Sequence, residues 1–201
     1  MTRLVLASGS PRRREILAAL GLEFVVRPPE MEEVVQDGER PEAAVCRLAR
    51  EKAACVDADP AELVLAADTV VVLDGNLLGK PADPAEAAAM LMRLAGTTHD
   101  VFTGLALRSG ATIVSTEART RVTFRRFGRS ECDTYVATGE PLDKAGAYGI
   151  QGYGAALVDR IDGDFFNVMG LPVPALLELL VAAGYRYAYG RIVRDQRDGT
   201  S

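Results

Sequence analysis

Three sets of residues in this chain have the types and spacing to act on an anion. The first is Ser8-Gly9-Ser10-Pro11-Arg12-Arg13-Arg14, which follows the apolar run Leu4-Val5-Leu6-Ala7. Ser10 suits a helix N-cap and Pro11 the first helical position, where a missing N–H costs nothing. Ile16, Leu17 and Leu20 then recur at helical spacing, and Gly21 suits the helix stop. The N-terminus of a helix presents unpaired N–H groups and a partial positive charge, so it is a seat for anions. Arginines are unfavourable in that first turn unless an anion comes to meet them, and guanidinium grips phosphate oxygens in pairs. This stretch therefore reads as a phosphate-binding turn.

The second is Asp68, which interrupts the apolar run Leu63 to Leu73. That run predicts a strand buried on both faces, where a bare carboxylate is costly unless it meets a partner or a metal, or faces a ligand. Read as an unpartnered functional acid, Asp68 should tolerate replacement by Asn with an unchanged or raised melting temperature. The third set is the lysines. The chain has 20 arginines but only Lys52, Lys80 and Lys144. Where arginine serves as the general surface cation, a lysine points to a position that needs a compact ammonium. For Lys52, near the end of a helix, the alternative is an ordinary C-terminal helix cation.

The elements that would position these groups follow in order. A strand at 22–26 is stopped by Pro28-Pro29, and the acidic loop Glu30-Met31-Glu32-Glu33 leads to a helix opened by Pro41 and running over 43–55. After the strand at 63–73, Asp74-Gly75-Asn76 is a hairpin turn. A helix over 85–94, capped by Asp83 and closed by Gly96, precedes strands at 105–108 and 112–124, a short helix at 131–137 and a strand at 157–161. A glycine-rich stretch, 139–154, carries Asp143, Lys144 and Gln151 on backbone able to approach a ligand. The last helix spans 174–183. His99, the one histidine, reads as structural, since no nucleophile–histidine machinery can be built around it.

With 201 residues, 48% hydrophobic and 25% charged, the composition is that of a globular protein of one sizeable domain. A net charge of −5 argues against nucleic acid as partner and confines any phosphate ligand to a local basic pocket. No apolar run reaches membrane-spanning length and the start does not read as a signal peptide. Three cysteines without metal spacing point to a reducing cytoplasm.

The opening Ser8-Gly9-Ser10-Pro11-Arg12-Arg13 resembles that of the Maf family, nucleoside triphosphate pyrophosphatases first described as septum-formation inhibitors. Further segments match in family order: Leu48-Ala49-Arg50-Glu51-Lys52-Ala53, Ala67-Asp68-Thr69-Val70, Gly79-Lys80-Pro81, Thr103-Gly104, Asp143 to Tyr148, Ile150-Gln151-Gly152 and Gly170-Leu171-Pro172. Where the family reads Val-Asp-Glu, this chain has Met31-Glu32-Glu33.

The resemblance implies an α/β fold, a bent mixed sheet flanked by helices in two lobes with a central cleft, similar to inosine-triphosphate pyrophosphatases. It implies one catalytic domain over 1–185, while the arginine-rich and then polar composition of 186–201 reads as a partly disordered tail. The implied reaction is hydrolysis between the α and β phosphates of a nucleoside triphosphate, with Mg2+ or Mn2+ as cofactor. Ser8, Arg12 and Arg13 would hold the phosphates, and Lys52 and Lys80 would neutralise the leaving pyrophosphate. Asp68 would orient or deprotonate water, and Glu33 with Asp68 would hold the metal. Members acting on dTTP and UTP carry the residues found here as Arg12, Thr69 and Gln151, whereas members acting on 7-methyl-GTP carry tryptophan, glutamine and glutamate. A glutamine amide also matches the N3–H and O4 edge of uracil or thymine. The partner implied is a small-molecule nucleotide, the implied role is clearing non-standard or modified nucleotides with a link to cell-division arrest, and a homodimer is left open. The alternatives are a non-catalytic nucleotide-binding regulator of septum formation, and a phosphatase or nucleotidyltransferase.

Overall fold

The computed structural model describes residues 3–36 and 38–195. The chain divides into two compact units, one formed by Met1–Asp68, Thr103–Ala118 and Gly170–Ser201, the other by Thr69–Phe102 and Arg119–Met169. The fold is mixed α/β. Its main sheet has the order β2-β1-β3-β5-β6-β7 with β4 paired to β3, taking β1 as Leu4–Ala7, β2 as Phe24–Val26, β3 as Leu63–Leu73, β4 as Asn76–Leu78, β5 as Thr98–Ser109, β6 as Thr112–Phe124 and β7 as Val158–Asp162.

In the first unit, β1 pairs in parallel with β2 and with the start of β3 (Leu4 opposite Phe24 and Leu63). Parallel neighbours need crossover connections. Helix α1 (Pro11–Ala19) and helix α2 (Pro41–Cys55) supply them. Ala49 and Ala53 of α2 pack with Val5, Ala7, Val64, Ala66 and Ala106, a layer of small residues that lets helix and sheet approach closely. Gly104 belongs to the same arrangement, because a Cβ there would run into the Val45 backbone of α2. Helix α6 (Val173–Ala182) packs against an antiparallel hairpin, β8 (Tyr185–Tyr187) with β9 (Ile192–Arg194). The start of the expected tail is thus folded into β8 and β9, with Ile192 buried. The end of that tail, 196–201, lies outside the described residues.

In the second unit, β4 returns antiparallel on β3 and β7 pairs antiparallel with β6, so the sheet is mixed. Helix α3 (Pro84–Leu94) is capped by Asp83, whose carboxylate accepts from the Glu86 N–H at 2.8 Å, and it packs on α4 (Arg129–Val136). Three short 3-10 turns, Glu140–Asp143, Ala145–Ala147 and Gly152–Leu157, carry the glycine-rich stretch, and α5 (Phe165–Val168) closes the unit. Strand β5 begins at Thr98, seven residues before the apolar pattern announces it. Its polar start is satisfied across the sheet: Thr98 shares a hydrogen bond with Thr123 at 2.9 Å, and Asp100 accepts two from Arg119 at 2.8 and 2.9 Å. No described helix is long and apolar enough to cross a membrane.

Candidate active site

The end of β1 delivers Ser8, buried, into the turn before α1. Its Oγ accepts from the Ser10 N–H at 3.2 Å and from Arg13 Nη1 at 3.0 Å. Ser10 caps the helix as its type predicts, accepting from the Arg13 N–H. The three arginines then part company. Arg12 is half-buried and Arg14 exposed, whereas Arg13 turns inward and donates through Nε to the Gly170 carbonyl at 2.8 Å. Burial lowers the Arg13 pKa from its ordinary value, while the charges of Asp68 and Glu33 act in the opposite sense. Those two carboxylates are therefore within electrostatic reach of the basic turn, and they offset the cost of a cation at a helix N-terminus.

The centre of the arrangement is Lys52. It projects from the last turn of α2 on the same buried face as Leu48, Ala49 and Ala53, and only 4% of it is exposed. Its Nζ lies 2.5 Å from Asp68 Oδ1 and 2.8 Å from Glu33 Oε1. Asp68 follows five residues of β3, Leu63 to Ala67, that are almost completely buried, and is itself 5% exposed. Glu33, by contrast, is half exposed on the loop between β2 and α2. Two findings correct the reading from sequence. Lys52 is a buried ion-pair partner and not a solvated helix-end cation, and Asp68 is not an unpartnered acid. Together Glu33 and Asp68 place two carboxylates around one cationic atom. No cluster of three or more histidine, cysteine or acidic residues suited to a metal occurs among the described residues. A divalent cation here would thus have two carboxylates and take its other oxygens from substrate and water, the usual provision for Mg2+ at phosphates.

The remaining candidates belong to the second unit. Thr69 follows Asp68 directly on β3, Lys80 is exposed just beyond β4, and Gln151 is exposed in the glycine-rich stretch. The Gly79 carbonyl accepts from the Gly146 N–H at 3.0 Å, which joins the segment carrying Lys80 to the turn after Lys144. Gly146 has φ of +69°, and a Cβ there would meet the Val71 side chain at 3.0 Å, so glycine is required. Lys144 braces its own loop, donating to the Glu140 carbonyl at 2.7 Å and to Asp143 at 2.6 Å.

Two residues in this unit carry roles that the sequence does not announce. The Glu140 carboxylate accepts from the Tyr135 hydroxyl at 2.9 Å and from the Tyr153 and Gly154 N–H groups at 3.0 Å. The Tyr135 hydroxyl in turn accepts from the Gly149 N–H at 3.2 Å. The backbone is therefore held on both sides of Gln151. The only signal for this was an acid placed before Pro141 at the head of a glycine-rich stretch. His99 is structural, as expected: it is buried in β5 and shares a 2.8 Å hydrogen bond with the Tyr148 hydroxyl.

Among solved structures, the chain is similar to a HAM1 protein from Coxiella burnetii (19% identity, covering 63% of this chain and 75% of that one, TM-score 0.44). It is likewise similar to a nucleoside-triphosphatase / dITP/XTP pyrophosphatase from Mycobacterium abscessus (19% identity, 63% and 76% covered, TM-score 0.39). Sequence relatives are much nearer. The dTTP/UTP pyrophosphatase of Moorella thermoacetica is 52% identical over 96% of this chain and 100% of its own. That of Myxococcus xanthus is 54% identical over 91% and 93%, and that of Anaeromyxobacter dehalogenans 51% over 94% and 98%. The family model for Maf-like proteins matches residues 3–183, a span that contains the turn before α1, Glu33, Lys52, Asp68, Lys80 and Gln151, and the chain belongs to the Maf family.

Proposed function

We propose that this chain is a nucleoside triphosphate pyrophosphatase that hydrolyses dTTP and UTP to the monophosphate and pyrophosphate, through one Maf-like catalytic domain over residues 1–185. The observation that carries the proposal is Lys52, an ammonium almost sealed from solvent and flanked by Asp68 at 2.5 Å and Glu33 at 2.8 Å. A binding protein has no need of carboxylates facing a phosphate site, whereas hydrolysis needs an acceptor for the proton of water. Asp68 takes that role, orienting or deprotonating the attacking water. Arg12, Arg13 and Ser8 hold phosphate oxygens at the start of α1. Lys52 and Lys80 stabilise the negative charge that grows on the departing pyrophosphate. Glu33 and Asp68 would hold Mg2+ or Mn2+, which when bound offsets phosphate charge. Gln151 reads the imide edge of the pyrimidine, with Thr69 and Arg12 completing the choice of base. The free thiols Cys46, Cys55 and Cys132 are in keeping with a cytoplasmic setting.

The test is pyrophosphate release from a panel of dTTP, UTP, CTP and 7-methyl-GTP, with Mg2+ or Mn2+. Release of pyrophosphate, fastest from dTTP and UTP, is the expected result. Orthophosphate as the first product would make the protein a phosphatase. Tight nucleotide binding without any release would make it a non-catalytic regulator.

A further inference from the structure

The loop between β2 and α2, which carries Glu33, has no regular structure over its described residues, and Val34 within it is 53% exposed. Burial of apolar surface therefore does little to fix this segment, yet Glu33 must be held where its Oε1 meets Lys52. The missing restraint is Arg47, one turn and a half before Lys52 on α2. Its guanidinium has five N–H donors, and each has an acceptor. Nε and Nη2 reach the two oxygens of Glu39 at 2.8 and 2.7 Å, and Nη1 reaches both oxygens of Glu51 at 3.1 Å. The second Nη2 proton goes to the Val34 carbonyl at 2.9 Å, the residue next to Glu33. Glu39 continues the tie, since its Oε2 also accepts from the Gln36 N–H at 3.2 Å. The loop is thus pinned at Val34 and Gln36 to the helix that bears Lys52.

We propose that Arg47 is a positioning residue: it straps the acidic loop to α2 and so fixes Glu33 against Lys52. The kinetic part of this inference rests on the pyrophosphatase reading above. Hydrogen bonding to Arg47 also holds the Glu39 carboxyl below its ordinary range, as expected of a carboxylate that accepts from a guanidinium. A lysine in place of Arg47 would preserve charge and helix. It has one donor atom, however, and cannot serve two carboxylates and a carbonyl in the plane of a fork.

The test compares Arg47→Lys, Glu33→Gln and the double variant. In the free protein, without nucleotide or metal, Arg47→Lys should speed amide hydrogen exchange over residues 32–36 by about tenfold or more while α2 stays protected. In steady-state hydrolysis of UTP it should lower kcat by about tenfold and leave KM within about twofold, because the phosphate grip lies elsewhere. In the Glu33→Gln background the same substitution should cost no further activity, as expected when one residue acts through the other. Unchanged exchange over 32–36, or losses that simply multiply in the double variant, would overturn the proposal. Should Arg47→Lys fold poorly, Glu39→Gln weakens the strap from the loop side while leaving the Arg47–Val34 bond, and must give the same pattern to a smaller extent. If the wild type releases no pyrophosphate, the pyrophosphatase reading fails, and the exchange measurement alone decides the strap.

Discussion

Lys52 Nζ and Asp68 Oδ1 are 2.5 Å apart, with each side chain almost closed to solvent. Neither charge would be tolerable there without the other, since removal of one ion from water is costly and a buried partner restores much of the loss. The pair joins the last turn of α2 to β3, so the residues proposed for the chemistry also form a structural contact. Glu33, half exposed, adds a second carboxylate to Lys52 while keeping its own charge in contact with water.

Asp68→Asn should lower kcat by about 10²–10⁴-fold, the range for loss of a general base. It should also lower the melting temperature, because it leaves the Lys52 ammonium buried beside only Glu33. Breaking a buried pair from one side typically costs about 3–5 kcal/mol, and the remaining Glu33 contact puts this case toward the lower end. Thermal unfolding of Lys52→Met combined with Asp68→Asn should recover part of the stability and none of the activity. A single variant that keeps more than about a tenth of kcat would remove Asp68 from the chemistry. An unchanged melting temperature would show that the pair is not a structural contact.

Lys52→Arg should reduce kcat although the charge is kept. A planar guanidinium is wider than an ammonium and cannot occupy a sealed space bounded by Asp68 at 2.5 Å and Glu33 at 2.8 Å without displacing one of them. Lys80→Arg, at an exposed position, should be milder. Kinetics on UTP for both variants check this. Equal and full activity would mean that the lysines serve as generic charge.

The fold and the residues of the candidate site were legible to different depths. The turn before α1, the buried run of β3 and the caps of α1 and α3 follow from local chemistry, which sequence carries directly. The partner of Asp68 does not. Lys52 comes from a separate helix, and its position near a helix end gives it an equally good solvated role. The polar start of β5 was missed for a related reason: Thr98 and Asp100 resemble loop residues until Thr123 and Arg119 are set across from them. Arg47 and Glu140 are the same lesson at longer reach. Each is an ordinary charged residue by type, and only its partners distinguish it: two carboxylates and the Val34 carbonyl for Arg47, the Tyr135 hydroxyl and two backbone N–H groups for Glu140.

His99 supplies a pH dependence of stability with a definite sign. Burial in β5 pushes the ring down to about 4, with only partial opposition from Asp100. Its Nδ1 has no hydrogen-bond partner among the described residues, so the ring is built to be neutral. The unfolded chain takes up this proton near pH 6.5, before the folded one does. The contribution of His99 is therefore complete above about pH 6.5 and is lost as pH falls toward about 4, by an amount on the order of 3 kcal/mol. Denaturant titrations of wild type and His99→Gln between those limits should show a steeper loss in the wild type. Parallel curves would show that the folded and unfolded chains take up the His99 proton alike, so that burial does not hold the ring neutral.

Specificity for a pyrimidine is tested at Gln151. Its own side chain is exposed, but the backbone around it is anchored, by Tyr135 at Gly149 and by Glu140 at Tyr153 and Gly154. The loop can therefore present the amide in one orientation to a base edge. Gln151→Glu replaces an N–H donor by an oxygen, which would face the O4 of uracil or thymine. A mispaired polar group of this kind costs about 1–3 kcal/mol, or roughly ten- to hundredfold in kcat/KM for UTP and dTTP. Hydrolysis of a plain ribose triphosphate, which offers no base to read, should hardly change. Glu140→Gln keeps Gln151 but replaces one of the oxygens that hold its loop with an amide nitrogen, so it should impair base-bearing substrates in the same direction and to a smaller extent. Equal losses on base-bearing and base-free substrates in Gln151→Glu would place this side chain at the phosphates or in loop architecture and withdraw it from base selection.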